Sequence, residues 1–323
     1  MDEGDLADSC YTHTWGLSFE EGSSMAACHK LNKLVIAENP GTFHVFSLDD
    51  WTSWTSWNVD FRATLCPEAS WADLVAMPHV KKMAFGGQGV LYAITCVSAS
   101  GAHEVSAIDI GSQKRIGAVC AWACGKQLNE LHLAAHNDLV AVSVLSCRLP
   151  ASVQIFRRDD RRMQQDLAPT WTLLRTLGMD PGPVAFSTCG TRLAAPECGG
   201  AFWRYPRLAD VTNWETEDDP TITYTEVHHD ICTLAPYRQH WVAADVSGSM
   251  SVVRTSARRH ITHGGVRSRA LAYIPGLGIF VLDRQGMLVL LQDAAHTAMW
   301  GMAAVRCAWM AAVARATPRV FHA

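Results

Sequence analysis

Short apolar runs bounded by glycine, proline and polar residues recur along the chain. Four of them share one pattern, in which an apolar run is followed by an acidic residue, two variable positions and a glycine. The four copies are Val35-Ile36-Ala37-Glu38 to Gly41, Ala194-Ala195-Pro196-Glu197 to Gly200, Val242-Ala243-Ala244-Asp245 to Gly248 and Phe280-Val281-Leu282-Asp283 to Gly286. Apolar runs of this length between turn residues are strand signals and are too short for stable helices. The pattern therefore predicts repeated strand–turn–strand units.

Each unit extends in both directions. Before the acid of the second copy, Gly182 to Ser187 is predicted as a strand, Thr188 to Thr191 as a turn and Arg192 to Ala195 as the next strand. A third strand is predicted seven and eight residues beyond each acid, at Val45-Phe46, Arg204-Tyr205, Val252-Val253 and Leu290-Leu291. The acid is expected to accept backbone N–H bonds in its turn, with glycine at positive φ.

Two degenerate units lie between the first two copies. One begins at Lys82 and the other at Leu131, and they make six legible repeats in all. Glu38 and Glu197 are 159 residues apart, which fits three repeats, and the next two acids follow after 48 and 38 residues. Repeats of about 40 to 50 residues with several strands each are typical of four-stranded propeller blades.

The sequence therefore predicts an all-β fold, a β-propeller of four-stranded antiparallel blades that takes up residues 1–323 as a single domain. Seven blades are predicted, and six are the alternative. In the seven-bladed interpretation, Met302 to Ala323 supply inner strands of the last blade and Cys10 to Phe19 its outer strand. Joining the two ends of the chain in this way leaves no open sheet edge.

Composition narrows the class of protein. The net charge is −4 and the isoelectric point is about 6.4, which argues against nucleic acid or anionic lipid as partners. The acidic start, Met1-Asp2-Glu3-Gly4-Asp5, has no apolar segment typical of a secretory signal, and no run reaches the ~20 apolar residues of a membrane span. The 11 cysteines are scattered without CxxC pairs, which indicates reduced thiols. We predict a cytoplasmic protein, with the nucleus as the alternative.

One stretch resembles a known family. Pro183-Val184-Ala185-Phe186-Ser187-Thr188-Cys189-Gly190-Thr191-Arg192-Leu193-Ala194-Ala195 is similar to the phrase that opens a WD-repeat blade. The places of the family's terminal Trp-Asp are Phe46-Ser47, Ile108-Asp109, Phe156-Arg157, Tyr205-Pro206, Val253-Arg254 and Leu291-Gln292. The first position is always apolar, and the aspartate is present only at Asp109. The resemblance implies a rigid platform for protein partners, usually without catalysis.

Catalytic and metal-binding motifs are absent from the sequence. It contains no G-x-S-x-G, no phosphate-loop motif, no H-E-x-x-H and no G-x-G-x-x-G. His132 and His136 have the spacing of zinc ligands on a helix, but on a predicted strand they are about 13 Å apart. No cofactor and no metal site are predicted.

Two groups of residues are candidates for partner binding. Trp51, Trp54 and Trp57 recur every third residue, and tryptophan is frequent at binding hot spots. The alternative is an outer strand whose indoles pack between blades. Arg258 and Arg259 lie in a basic stretch that is suited to an acidic or phosphorylated partner, and the alternative is a solvated loop.

The predicted function is that of a non-enzymatic scaffold or adaptor, which binds a peptide or protein through the loops of one rim or the central opening. The alternative is a propeller enzyme, a hydrolase or lyase with a small-molecule site in the axial funnel. That alternative requires ionisable side chains that converge at the axis, and the predicted inner strands contain few carboxylates. A third possibility is a structural member of a larger complex.

Overall fold

The structure, a computed structural model, describes most of the chain between residues 11 and 292. The described residues are 11–19, 23–38, 41–48, 54–59, 61, 79–97, 102–122, 128–146, 151–159, 168–180, 182–197, 207–215, 220–227, 230–253, 258–261, 268–275 and 277–292. They form 24 strands, which are arranged in six four-stranded antiparallel sheets.

The strands are short, as expected from apolar runs that end at turn residues. They are β1 (Tyr11–Ser18), β2 (Ser24–Cys28), β3 (Lys33–Glu38), β4 (Thr42–Ser47), β5 (Trp54–Asn58), β6 (His79–Phe85), β7 (Val90–Val97), β8 (Ala102–Asp109), β9 (Lys114–Trp122), β10 (Leu128–His136), β11 (Leu139–Ser146), β12 (Ser152–Arg158), β13 (Trp171–Leu177), β14 (Ala185–Phe186), β15 (Arg192–Glu197), β16 (Arg207–Thr212), β17 (Thr221–Glu226), β18 (Ile231–Tyr237), β19 (His240–Asp245), β20 (Met250–Val253), β21 (Arg258–Ile261), β22 (Ser268–Ile274), β23 (Gly278–Asp283) and β24 (Met287–Gln292).

Consecutive strands pair within each sheet, which we call a blade. Blade 1 is β2–β5, blade 2 is β6–β9, blade 3 is β10–β13, blade 4 is β14–β17 and blade 5 is β18–β21. Blade 6 consists of β22, β23 and β24, and β1 completes it by pairing with β24. The first strands of the blades adjoin one another in chain order, and β22 adjoins β2 again, so that the six blades form a ring.

The prediction of seven blades is wrong, and its alternative of six is right for the described residues. The reason is the position of β1. Residues 11–18 extend the sheet of the sixth blade, with Tyr11 opposite Gln292, whereas the seven-bladed interpretation placed them beside residues 302–323. Residues 302–323 lie outside the described part of the chain.

The chain direction defines two faces of the ring. We call the face at which the inner strands begin the upper face; it also contains the turns between second and third strands, such as residues 246–249 and 284–286. The lower face contains the turns between first and second strands, such as 137–138 and 238–239. An axial channel lined by all six inner strands runs between the two faces.

The inner strands share one packing rule. Each has an alanine directly after a larger aliphatic residue: Met25-Ala26, Met83-Ala84, Leu133-Ala134, Val184-Ala185, Leu234-Ala235 and Leu271-Ala272. The aliphatic residue packs in the core shared with the preceding blade, and the alanine packs in the core shared with the following blade. Each interface therefore sets one small side chain against one large one, which lets the sheets converge at the axis without steric overlap.

The hydrophobic core lies between the blades. Six clusters of buried residues fill the six interfaces. Between blades 1 and 2, Phe43 stacks on Trp57, with ring centroids 4.7 Å apart and an interplanar angle of 9°. A buried aromatic side chain removes roughly 150–250 Å² from water, which corresponds to about 4–6 kcal/mol. Because a single blade buries neither of its faces alone, packing between blades stabilises the ring.

The predicted acid-to-glycine turns occur in blades 5 and 6. Asp283 Oδ1 accepts hydrogen bonds from the backbone N–H groups of Gln285 and Met287, at 2.8 and 2.7 Å. Gly286 has a φ of 83°, and the turn that follows Asp245 has the same arrangement. These carboxylates therefore hold turns, as predicted. In blade 1, in contrast, Glu38 lies 2.8 Å from His44 Nε2 on the third strand.

Two strands need comment. The described third strand of blade 4 is Arg207–Thr212, with Arg207 opposite Glu197. The pair predicted for this strand, Arg204-Tyr205, lies outside the described residues. The outer strand β9 was not predicted, because two irregularities in its pairing with β8 interrupt the alternation of apolar and polar residues.

Candidate functional site

The axial channel changes character along its length. Its upper mouth is a cavity of about 60 Å³, lined by polar and basic residues that begin the inner strands and by the aliphatic residues below them. The polar and basic members are Ser24, Lys82, His132, Cys232, Thr233 and Arg269. Deeper in the channel, a second cavity of about 150 Å³ is lined by the aliphatic residues, the alanines and the residues that end the inner strands. The ionisable groups are therefore concentrated at one end.

Two cationic side chains flank the upper mouth. Lys82 belongs to β6 of blade 2 and Arg269 to β22 of blade 6, and both are half-buried. Lys82 Nζ donates a hydrogen bond to the Arg269 carbonyl oxygen at 3.2 Å, across the position of blade 1. No carboxylate is among the described residues that line this cavity. The mouth therefore has a positive electrostatic character.

The acids nearest to the mouth belong to turns. Cys232 interacts electrostatically with Lys82, Arg284 and Asp245, which places all three charges near the same side of the opening. Asp245 Oδ1 accepts hydrogen bonds from backbone N–H groups of its own turn. Asp283 Oδ1 does the same in the turn of blade 6. These carboxylates reduce the positive potential without lining the cavity.

The thiol at the mouth is held in its protonated form. Cys232 Sγ lies 3.3 Å from the carbonyl oxygens of Ala244 and Asp245 and 3.5 Å from that of Ser268, so that its S–H has backbone acceptors to which it can donate. Burial raises the pKa of the Cys232 thiol, and the positive charge of Lys82 partly opposes this rise. A protonated thiol is a poor nucleophile, so Cys232 is not suited to covalent catalysis here.

One hydroxyl at the mouth is buried without a hydrogen bond. Thr233 is 5% exposed and lines the cavity, and its Oγ1 has no hydrogen-bond partner among the described residues. It is near enough to the Cys232 thiol to influence its pKa, but not in hydrogen-bonding geometry. A buried hydroxyl without a partner costs about 1–3 kcal/mol, so native proteins usually supply one from protein, water or ligand.

The side chains that line the lower cavity are apolar, apart from the hydroxyl of Tyr273. Residues at or next to the ends of the inner strands alternate around the ring between small and aromatic: Ala27, Phe85, Ala135, Phe186, Pro236 and Tyr273. Every second blade thus contributes one aromatic ring, and we call Phe85, Phe186 and Tyr273 the aromatic collar. The collar lies on the side of the channel opposite to the basic mouth, and its three rings pack in or against the cores between blades.

Turns of neighbouring blades are joined on the lower face. Gly87 N–H donates to the Asn137 carbonyl oxygen at 2.6 Å, and the Thr188 hydroxyl donates to the Arg238 carbonyl oxygen at 2.8 Å. A Cβ atom at Gly86 would lie 2.8 Å from the same Asn137 oxygen, so the close approach of the two turns requires glycine at this position. The lower face is therefore held together from blade to blade.

A polar clamp joins blades 4 and 5 near the lower face. Asp210 is 5% exposed and accepts hydrogen bonds from the Arg192 guanidinium, with Nε at 3.0 Å, and from Trp241 Nε1 at 3.3 Å. Arg192 also donates to the Gln239 carbonyl oxygen at 3.1 Å and stacks over the Trp241 ring. All these groups satisfy one another, which is the condition for a stable buried charge.

The predicted tryptophans lie on one outer strand as far as the structure describes them. Trp54 and Trp57 belong to β5 and point to opposite faces of blade 1, since Trp54 is 41% exposed and Trp57 is buried. The Trp54 ring contacts Phe46 edge-on at 5.3 Å. Trp51 lies outside the described residues. Partner binding by this group stays a prediction, and only Trp54 of the two described rings is exposed.

The predicted arginines lie on another blade. Arg258 and Arg259 belong to β21, the outer strand of blade 5, where their backbones pair with Val253 and Val252. The structure thus does not bring them together with Trp54, which lies on blade 1. Their role in binding stays a prediction.

The residues of the upper mouth were missed at the sequence level. Lys82, Thr233 and Arg269 share no motif, and each lies in a strand whose following residues are mostly apolar. A signal was present in the aliphatic–alanine pairs, because the residue one position before each pair is Ser24, Lys82, His132, Pro183, Thr233 or Ala270. Aligning the repeats on these pairs would have shown that polar residues cluster at one level of the channel.

Three observations bear on other classes of site. Among the described residues, no three His, Cys, Asp or Glu side chains lie close enough to share a metal ion. His132 lines the upper mouth and His136 ends the same strand near the lower face. The described part of the chain also includes no helix long and apolar enough to cross a membrane.

Comparison with known proteins identifies the fold of the chain. Neither a protein-family profile nor a curated protein matches the sequence. Among solved structures, the chain is similar to the β-propeller domain of Cps50 (Swd1) from Myceliophteria thermophila, with a TM-score of 0.52 and 9% sequence identity over 88% of this chain and 100% of that domain. At this identity the likeness shows the fold alone. The chain therefore has the β-propeller fold that its repeats predict, with six blades among its described residues.

Proposed function

We propose that the protein is a non-enzymatic scaffold, which binds a segment of a protein partner at the upper face and the upper mouth of the channel. The observation that carries the proposal is the difference between the side chains at the two ends of the channel: cationic and hydroxyl side chains line the upper mouth, and apolar side chains with one tyrosine line the lower cavity. The similarity to a solved propeller domain supports a platform in general terms.

The same geometry favours binding over catalysis. The mouth has cations and hydroxyls but no lining carboxylate, and its thiol is protonated. General acid–base work requires a group whose pKa is near neutrality and which faces the substrate, and the one imidazole among the described lining residues, that of His132, is only 5% exposed. No second function has an observation of its own in its favour. A cytoplasmic or nuclear location stays a prediction.

Position-specific cross-linking tests the proposal. Gln285 and Gln239 are exposed residues in turns on the upper and the lower face. Each is replaced, in a separate variant, by a photo-cross-linking phenylalanine derivative, and the full chain is irradiated in cells. We expect discrete cross-linked species from position 285 and none from position 239. Equal cross-linking at both positions, or at neither, would contradict a partner site on the upper face.

A further inference from the structure

We infer that Ser56, on the outer strand β5 of blade 1, is a modification site, whose hydroxyl accepts an acyl group from an activated ester. The observation behind the inference is a chain of hydrogen bonds from Ser56 through His44 to Glu38, across three neighbouring strands. The site is separate from the axial channel, and it gives the scaffold a covalent reactivity that does not depend on the proposed partner site.

The strand register brings the three side chains together. His44 on β4 lies directly opposite Ser56 on β5, and Glu38 is the last residue of β3. Directly opposed residues of antiparallel strands have their side chains on the same face of the sheet. His44 Nδ1 lies 2.8 Å from Ser56 Oγ, and His44 Nε2 lies 2.8 Å from Glu38 Oε2. A hydroxyl, an imidazole and a carboxylate are therefore connected in that order.

The carboxylate determines which imidazole nitrogen carries the proton. A carboxylate can only accept hydrogen bonds, so His44 Nε2 donates to Glu38. Nδ1 of the neutral ring is then an acceptor, and the Ser56 hydroxyl donates to it. In this arrangement an imidazole can act as general base for a serine. Such a triad is recognised by these roles and not by a sequence motif, which explains why no G-x-S-x-G accompanies it.

The acyl transfer uses only groups that are present in the chain and in the ester. Ser56 Oγ attacks the carbonyl carbon while His44 Nδ1 takes the hydroxyl proton, and a tetrahedral intermediate forms. The bond between that carbon and the leaving oxygen then breaks, and His44 returns the proton to the leaving oxygen. The products are an ester of Ser56 and an alcohol or phenol, and the imidazole is neutral again.

The surroundings of Ser56 suit an aromatic acyl group. Ser56 is exposed, and Trp54, two residues earlier on the same face, is 41% exposed and packs edge-on against Phe46. On the other side, Thr42 Oγ1 donates a hydrogen bond to Asn58 Oδ1 at 2.8 Å. This bond leaves the Asn58 Nδ2 hydrogens to donate to the oxyanion of the intermediate. An apolar surface and an amide donor thus flank the hydroxyl.

Site-resolved acylation tests the inference. The full chain is treated with p-nitrophenyl benzoate, and mass spectrometry measures the rate at each serine. Ser112 is the internal control, because it is also exposed but its hydroxyl donates to Asp109 Oδ2, at 2.6 Å, and not to an imidazole. We expect Ser56 to be acylated about a hundredfold faster than Ser112, which is the lower end of the range for general-base catalysis. Equal rates at the two serines would overturn the inference.

Variants connect the reactivity to the named residues. His44→Gln should slow the acylation of Ser56 about a hundredfold, and Asn58→Ala should slow it about tenfold. The matched control is Thr55→Ala, which changes an exposed residue of the same strand that points to the other face. It should leave the rate unchanged. A rate at Ser56 that is the same in His44→Gln as in the unchanged chain would also overturn the inference.

The role of Glu38 as a positioning residue has its own readout. ¹⁵N NMR of the His44 ring should show the proton on Nε2 in the unchanged chain. Glu38→Gln should populate both tautomers, because an amide can donate as well as accept, and it should slow the acylation of Ser56 about tenfold. A proton on Nδ1 in the unchanged chain would contradict the assigned direction of the hydrogen bonds and would overturn the inference, whereas both changes together in Glu38→Gln would support it.

Discussion

The clamp near the lower face and the upper mouth of the channel use their polar groups in opposite ways. Near the lower face, Asp210, Arg192 and Trp241 satisfy one another, and turns of adjacent blades exchange hydrogen bonds. At the upper mouth, Thr233 Oγ1 has no partner, and cations lie without a lining carboxylate. Satisfied polar groups stabilise a fold, whereas unsatisfied ones reduce its stability unless a ligand completes them. The difference indicates that the clamp helps to maintain the ring, whereas the mouth contributes less to its stability.

The largest expected effect is the loss of a ring of the aromatic collar. Phe186 is 3% exposed and packs between blades 3 and 4 against Trp214, with ring centroids 5.8 Å apart. Phe186→Ala should lower the free energy of unfolding by about 4 kcal/mol, because it removes a buried aromatic and leaves a cavity. Denaturant unfolding followed by circular dichroism measures the change.

The control is Leu174→Ala, which removes an apolar side chain that is 42% exposed on β13. It should change the free energy of unfolding by less than about 0.5 kcal/mol. A loss below about 1 kcal/mol in Phe186→Ala would show that the collar does not support the ring.

The second prediction concerns the clamp. Asp210→Ala leaves the Arg192 guanidinium and Trp241 Nε1 without their acceptor, and should lower the free energy of unfolding by about 3 kcal/mol. Asp210→Asn keeps the shape of the side chain and one acceptor oxygen, so it should lower the free energy of unfolding by less than Asp210→Ala does. Thermal and urea unfolding of the three proteins provide the ranking, and a loss in Asp210→Asn that equals the loss in Asp210→Ala would contradict a role for acceptor geometry.

The sequence predicted the repeated architecture better than the site. Strands that end in acid-to-glycine turns, such as those at Asp245 and Asp283, repeat because the same hydrogen bonds close the same turn in several blades. The number of blades was predicted wrongly, because β1, which completes the sixth blade by pairing with β24, lies outside the repeat pattern. The clamp and the upper mouth were not predicted, since residues such as Lys82 and Arg269 meet only when distant blades close into a ring.

The third prediction compares two thiols, one on each face. Cys189 is exposed in a lower turn, and hydrogen bonds with the Ser187 and Thr191 hydroxyls, at 3.3 and 3.0 Å, lower the pKa of its thiol to about 7. Burial raises the pKa of the Cys232 thiol. Because the thiolate is the nucleophile and forms above the pKa, alkylation of Cys189 should reach half its plateau rate near pH 7, while Cys232 stays slow at that pH.

Iodoacetamide labelling between pH 5 and 10, resolved by site with mass spectrometry, measures both rates. We expect Cys189 to react about a hundredfold faster than Cys232 at pH 7, from its thiolate fraction alone. Replacing both hydroxyls, in Ser187→Ala with Thr191→Val, should move the profile of Cys189 to higher pH. A Cys189 rate that begins to rise only above pH 8 would contradict the assigned hydrogen bonds.

The smallest expected effect on the free energy of unfolding comes from comparing two buried hydroxyls in the upper half of the ring, one with a hydrogen bond and one without. Ser143 is buried, and its hydroxyl accepts a hydrogen bond from the Gly182 N–H at 3.1 Å, whereas the Thr233 hydroxyl has no partner. Ser143→Ala should lower the free energy of unfolding by about 1 kcal/mol. Thr233→Val replaces a lone hydroxyl by a methyl group of the same shape, so it should leave the stability unchanged or raise it by up to about 1 kcal/mol. The measurement is denaturant unfolding of both variants. A clear loss of stability in Thr233→Val would show that the Thr233 hydroxyl makes a hydrogen bond in the free protein.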